Sequence, residues 1–452
     1  MTFVTAVTRF AVRTLLGLTI ACASLALRAS AATAAPNVLV IVTDDQPTGM
    51  VSQAVMPNVA WLAQTGRRYS STYVTTPLCC PSRTSLLTGD YAHNTGVFQN
   101  TDHPSPSVLA GSLPVLLRAG GYETGLVGKY LNSAPLAEQP TGFEHWATLA
   151  GGAYTNPQVN VDGAISQAPG YYTSVLSQQA LRFLDGTEAA DTQPWFLMLS
   201  TVGPHRPSTP APTDVHRVVP PWLGDPAVRE RDMSDKPLYI RQSPPQGRIG
   251  RVIHEQMLRS LISVDRLVGV VLERLRQSGE LDSTLIVFTS DNGYLRGQHH
   301  RKGKLVPYTA STRVPLIVRW PQAITPGTGT RQAFNIDIAP TILDAAGVSG
   351  AAAMDGRSLL APRPTRLLLG ELHRVPARTV PTWASIRTPT YQYTEYTNLG
   401  RVVFREYYDL LHDPWQLRNT LRDGIPGNEP NVASLHARIV ALQHCHGPTC
   451  SS

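Results

Sequence analysis

The chain has 452 residues, 42% hydrophobic and 16% charged, so it can bury a large core and is neither disordered nor fibrous in composition. Its formal charge is +7, which falls by three, to +4, if the segment carrying Arg9, Arg13 and Arg28 is removed, because no acidic residue precedes Asp44. This mild excess suits anionic ligands, and without a clustered basic stripe it argues against nucleic acid as a partner.

At the amino terminus, Arg9 and Arg13 precede an apolar run over 15–27 and then small residues up to Ala35. That order predicts a cleaved secretory signal over 1–35 and a secreted, cell-surface or periplasmic protein. The apolar stretch is short of the roughly 20 residues that a membrane anchor needs, and no other segment is apolar enough to span a bilayer. Thr19-Ile20-Ala21 is a poor context for lipid attachment at Cys22.

Next come short apolar runs that end in polar residues, as buried parallel strands do. The run over 37–42 leads into Thr43-Asp44-Asp45, and that over 124–127 into Gly128-Lys129. The run over 195–199 leads to Gly203-Pro204-His205, and that over 285–288 to Ser290-Asp291-Asn292-Gly293. Helical patterns lie between them at 59–63, 113–118 and 252–276, closing at Gly66, Gly120 and Gly279. Alternating strand and helix predicts an α/β fold with a large, mostly parallel, doubly wound sheet flanked by helices. Ligands gather outside the carboxyl ends of such strands, so these polar residues share one rim.

The stretch over 204–248, rich in Pro and in both signs of charge, predicts a long surface excursion that shapes the site. Ala361-Pro362-Arg363-Pro364 interrupts the pattern, and strands at 391–396 and 402–408 with a helix at 432–442 predict a smaller antiparallel α+β unit. The expected division is a signal over 1–35, a catalytic domain over 36–365 and a carboxyl-terminal domain over 366–452. Cys445 and Cys450 read as a short loop disulfide, which export permits. Adjacent Cys79 and Cys80 are poorly placed to bridge each other.

Cys79-Cys80-Pro81-Ser82-Arg83-Thr84-Ser85-Leu86-Leu87-Thr88-Gly89 resembles the signature of the type I, formylglycine-dependent sulfatases of the alkaline-phosphatase-like superfamily. A second stretch, from Gly121 through Gly128-Lys129-Tyr130-Leu131, resembles that family's second signature. Gly128-Lys129-Tyr130-Leu131-Asn132 and His93-Asn94 look like its glucosamine-6-sulfatase branch. Many members carry His where this chain has Leu131, and Glu where it has Thr309.

The resemblance implies that a maturation enzyme oxidises Cys79 to formylglycine. The hydrate of that aldehyde is the family's nucleophile: one hydroxyl attacks sulfur and deprotonation of the other expels sulfate. Asp44, Asp45, Asp291 and Asn292 are hard oxygen donors suited to Ca²⁺ or Mg²⁺, and the resemblance implies that they hold one divalent cation with residue 79, Ca²⁺ favoured over Mg²⁺. Arg83 lies about one helical turn beyond Cys79 and can face the same centre; by the resemblance it steadies the nucleophile. The resemblance makes Lys129 and Lys304 sulfate-binding lysines and His205 the proton donor to the leaving alcohol, a task suited to imidazole. His299 and Asn132 have supporting roles. The implied reaction is hydrolysis of a sugar or aryl sulfate to alcohol and sulfate. The alternatives are a phosphoester or phosphonate monoester hydrolase of the same superfamily, or a secreted carbohydrate-binding protein that leaves Cys79 a thiol.

Overall fold

In the computed structural model, residues 35–451 are described apart from 191, 362–365, 374 and 376–378. Residues 1–34, the body of the predicted signal, lie outside them, and Pro36–Ser452 form one compact unit.

The strands are, in chain order, Asn37–Thr43 (β1), Arg67–Tyr73 (β2), Glu123–Gly128 (β3), His145–Leu149 (β4), Gln158–Val161 (β5), Ala164–Gln167 (β6), Trp195–Ser200 (β7) and Thr284–Ser290 (β8). There follow Leu295–Arg296 (β9), Lys302–Gly303 (β10), Leu316–Arg319 (β11), Gly327–Phe334 (β12), Leu368–Leu372 (β13), Thr382–Arg387 (β14), Tyr391–Asn398 (β15) and Arg401–Asp409 (β16). The helices that matter here are Pro57–Thr65 (α1), Cys79–Thr88 (α2), Leu113–Ala119 (α3), Tyr172–Ala190 (α4), Gly247–Gln277 (α5), Ile338–Ala346 (α6) and Val432–Gln443 (α7).

Ten strands form one sheet in the order β12-β2-β11-β8-β1-β7-β3-β4-β5-β6. Its centre is parallel: β1 pairs with β7 and β8, with Val38 opposite both Phe196 and Leu285, and β3 pairs with β7 and β4. The sheet turns antiparallel at β11, which runs between β8 and β2, and at the β4-β5-β6 edge. The edge hairpin and α4 were not among the sequence expectations; the hairpin strands are four residues each and one is wholly exposed.

Side-chain alternation along β1 explains why helices cover both faces. Leu39 and Ile41 point into one core with residues of α1, α4 and α5, whereas Val38, Val40 and Val42 point into another with residues of α2, α3 and α6. Both faces of the central strands are therefore apolar, and their carboxyl ends are where polarity can appear.

The second sheet, β13-β14-β15-β16, is antiparallel throughout. One face receives Leu435, Ile439 and Leu442 of α7. On the other, Trp383, Tyr396 and Tyr408 pack with Leu78, Leu305, Val306 and Tyr308, which flank Cys79 and Lys304 in sequence. Cys445 and Cys450 are disulfide-bonded as expected, and Cys79 and Cys80 are free.

The excursion over 204–248 contains short turns and the helical turn Leu238–Arg241. Buried polar groups hold it down: Asp214 pairs with Arg266, and Lys236 pairs with Glu230 and Asp235 and donates to the Leu417 carbonyl.

Candidate active site

Asp44 and Asp45 follow β1, and Asp291 and Asn292 follow the adjacent parallel strand β8. Successive strand residues normally point to opposite faces. A left-handed φ of 65° at Asp45 breaks that alternation, so both Asp carboxylates reach one cluster. Metal-ligating atoms of Asp44, Asp45, Cys79 and Asp291 all lie within 4.8 Å of one another, and all four residues are buried.

Cys79 is the first residue of α2, where free amides and the helix dipole favour anions. Its Sγ is 3.5 Å from Asp44 Oδ1. Lys304 Nζ lies 2.7 Å from that sulfur, 2.5 Å from Asp45 Oδ1 and 3.2 Å from Asn292 Oδ1. Lys129, just past β3, places Nζ 2.5 Å from Asp44 Oδ2. Arg83 donates through Nε to Asp291 Oδ2 (2.8 Å) and through Nη1 to Ser200 Oγ (2.6 Å) and the Lys129 carbonyl (3.1 Å). Three buried carboxylates thus face three cations, which is how such charge density is held away from water.

Burial alone would raise the Asp44 carboxyl, but Lys129, Arg83, His205 and Lys304 outweigh it and hold that carboxyl far below its ordinary range. Burial and then Asp44 push the Cys79 thiol up to about 12. Asp291 is raised by burial and by Asp44, against the pull of Arg83. Burial works against the charge on both lysines, yet Asp44 raises Lys129, and Asp45 lifts Lys304 well above its ordinary value.

His205 stands at the rim, 37% exposed, with Nε2 3.8 Å from Asp45 Oδ2. Its Nδ1 is 2.6 Å from the Arg206 carbonyl, which can only accept, so Nδ1 carries hydrogen and Nε2 is left for a ligand. A cavity of 330 Å³ opens beside Asp44, Lys129 and His205 and is lined further by His103, Asn132 and Glu138. Leu131 also lines it and packs into the core at 5% exposure, so this position is apolar wall. Asn132 is thus on the cavity rather than in the carboxylate cluster.

His299 also lies outside that cluster. Its Nδ1 is 2.7 Å from Glu230 Oε2 and its ring stacks on Tyr308 at 4.0 Å, so it braces the segment that carries Lys304. Thr309 donates by backbone N–H and hydroxyl to Gln416 Oε1, a structural use. Two supporting groups escaped the sequence reading. Ser200 ends an apolar run and could have been found by the strand-end rule; Glu230 lies in the aperiodic excursion, which carries no such signal.

Asp44, Asp45 and Asp291 with the Asn292 carbonyl make a hard, oxygen-rich donor set that fits an octahedral or larger divalent cation. Residues 36–348 match the family profile described as Sulfatase. This chain belongs to the sulfatase family. Residues 297–444 also match the profile for the carboxyl-terminal part of N-sulphoglucosamine sulphohydrolase. The chain is 32% identical to human N-acetylglucosamine-6-sulfatase, over 93% of this chain and 87% of that protein. It is 35% identical to the extracellular sulfatase SULF-1 homolog of Drosophila melanogaster over 72% of this chain, and spans about a third, 31%, of that longer protein. A solved structure of a protein in complex with its substrate D-glucosamine-2-N,6-O-disulfate superposes with a TM-score of 0.75 at 26% identity, covering 90% of this sulfatase and 96% of that chain. The sulfatase is an enzyme of sulfate-ester hydrolysis, in a family that uses formylglycine and a divalent metal.

Proposed function

We propose that this sulfatase cleaves the sulfate ester of a sulfated aminosugar with formylglycine made from Cys79 by a maturation enzyme of its host. The observation that carries this reading is the convergence of Cys79, Asp44, Asp45, Asp291 and Lys304 in one buried cluster beside a cavity. The name of the human relative and the ligand of the solved neighbour support the aminosugar. The cavity volume, at the small end of ligand sites, supports a single ring at the reacting position.

In this reading Asp44, Asp45, Asp291 and Asn292 hold one divalent cation, with Ca²⁺ favoured over Mg²⁺ because several protein carboxylates gather at one point, whereas Mg²⁺ usually keeps several waters and few carboxylates. When bound, the cation would draw charge from a sulfate oxygen and lower the pKa of a coordinated hydroxyl. The aldehyde hydrate at position 79 would supply the attacking hydroxyl and a second one to expel sulfate. Lys129 and Lys304 neutralise the sulfate oxygens, and Arg83 fixes Asp291 and the first turn of α2. As the imidazolium, with hydrogen on both ring nitrogens, His205 delivers a proton from Nε2 to the leaving oxygen, and Leu131 gives the cavity an apolar wall. Residues 36–365 carry the reaction and 366–452 back the Lys304 segment. The basic, apolar and small-residue order of 1–35 supports secretion.

Mass spectrometry of the peptide spanning Cys79, from protein made in its native host, tests the core of this proposal. Formylglycine is expected; active protein with an unmodified thiol would overturn it. Turnover of glucosamine 6-sulfate should exceed that of the matched phosphate ester. Chelation should abolish turnover and calcium should restore it; equal restoration by magnesium would remove the preference for calcium.

A further inference from the structure

A cleft of 1390 Å³ lies between the Leu238–Arg241 turn and the β14-β15-β16 face, and it shares no lining residue with the cavity beside His205. Arg241, Arg301 and Arg422 line it, and no Asp or Glu does so among the described residues. Arg301 lies 5.6 Å from the Tyr239 ring centroid and Arg422 lies 4.5 Å from that of Phe404, and both rings face the cleft. Arg301 also donates to Ser243 Oγ. Among the described residues none of these three arginines has a carboxylate at ion-pair distance, whereas neighbouring Arg405 is paired with Glu395 at 3.1 Å. Leu399 at 95% exposure and Val403 at 57% add apolar surface to the same walls.

Stacked guanidinium groups without acidic partners are prepared for oxyanions, which they bind in bidentate fashion. Flat aromatic and exposed aliphatic surface beside them suits the C–H faces of pyranose rings. We propose that this cleft is a second binding site for a sulfated polysaccharide, holding sulfated sugars away from the ester that is cut. The proposal deepens, and rests on, the sulfatase reading. The cleft and the reaction site meet through the Lys304 segment: Arg301 precedes Lys304 by three residues, and Val380 and Tyr396 of the cleft pack in one apolar cluster with Leu305 and Leu78.

Binding of dextran sulfate, with unsulfated dextran and single-stranded DNA as comparisons, tests the proposal on the full chain. Arg241→Ser with Arg422→Ser changes two exposed side chains outside the reaction site. A charge-matched control, Arg251→Ser with Arg438→Ser, removes two exposed helical arginines elsewhere. The cleft variant should bind dextran sulfate about tenfold or more weakly, from the loss of two charge-assisted contacts, and the control should stay within about twofold. Turnover of a small aryl sulfate should be unchanged in both variants. Equal weakening in the two variants, undiminished binding in the cleft variant, or tighter cleft-dependent binding of DNA would each overturn the proposal. Failure of the native protein to hydrolyse any sulfate ester would instead sink the sulfatase reading, while the binding comparison would still report on the cleft.

Discussion

His205 has one ring nitrogen committed to the Arg206 carbonyl and the other, 3.8 Å from Asp45, without a hydrogen bond among the described residues, and this division predicts how its loss should depend on the substrate. A sugar alkoxide leaves poorly and needs the proton; a nitrophenolate does not. His205→Ala should therefore lower kcat by about 10²-fold or more for glucosamine 6-sulfate but by less than about tenfold for nitrophenyl sulfate. Equal losses for the two esters would remove the general-acid role. At this scale the sequence was informative where chemistry restricts residue type. Asp44, Asp45, Cys79, Arg83, Lys129, Asp291, Asn292 and Lys304 stood out because hard ligands and cations ended apolar runs or sat in recognisable motifs, and they meet in space. Leu131 and Thr309 were visible only as departures; that one is cavity wall and the other a partner of Gln416 depends on packing that no local pattern encodes.

Between elements, the register of β3 against β7 decides where Lys129 stands. Gly128 has φ 111°, and a Cβ there would meet the Ser200 carbonyl oxygen at 1.8 Å. The next residue, Lys129, donates its own N–H to that carbonyl at 2.8 Å. Gly128→Ala must push the strands apart or bend β3, costing of the order of 2 kcal/mol or more and displacing Lys129 from Asp44. Thermal unfolding should show the loss, and KM should rise with it; an unchanged melting temperature would contradict the close approach. The core strands and α5 were legible because both leave strong periodic signals, although α5 begins five residues before the predicted 252. α4 and the β5-β6 hairpin were missed. The hairpin strands are four residues each and one is wholly exposed, so hydrophobic periodicity has too few residues to mark them.

For the molecule as a whole, the tail is tied to the sulfatase core by buried acids and a histidine. Asp355 accepts from the Tyr91 N–H, the Asn94 amide and the Gly447 N–H, while His93 Nδ1 pairs with Glu371 and its Nε2 faces the Cys445 carbonyl. Burial and Asp355 push the Asp90 carboxyl up to about 7. Burial lowers His93, but Glu371 outweighs it and leaves that imidazole raised. Groups raised on folding stabilise fully below their unfolded pKa, about 4 for Asp, and lose that contribution as pH rises through the folded value. The native chain should therefore lose thermal stability relative to Asp90→Asn between about pH 4 and about pH 7 and run parallel to it above that; parallel melting profiles across the whole range would contradict this. The second sheet, expected from sequence only as a smaller carboxyl-terminal unit, has a more intimate part to play. Trp383 donates its indole N–H to the Leu305 carbonyl, and Tyr308 donates its hydroxyl to Glu406, so strands from the last quarter of the chain fix the lysine beside Cys79. Cys79 itself is 1% exposed inside a helix whose ten residues are all buried. The proposed oxidation of Cys79 by a host enzyme would need that side chain before this burial is complete, and Leu78 beside it packs on Trp383, Tyr396 and Tyr408 of the second sheet. On that proposal synthesis order would set a window, with position 79 open to chemistry while the carboxyl-terminal strands are still being made and closed by the strands that complete the site.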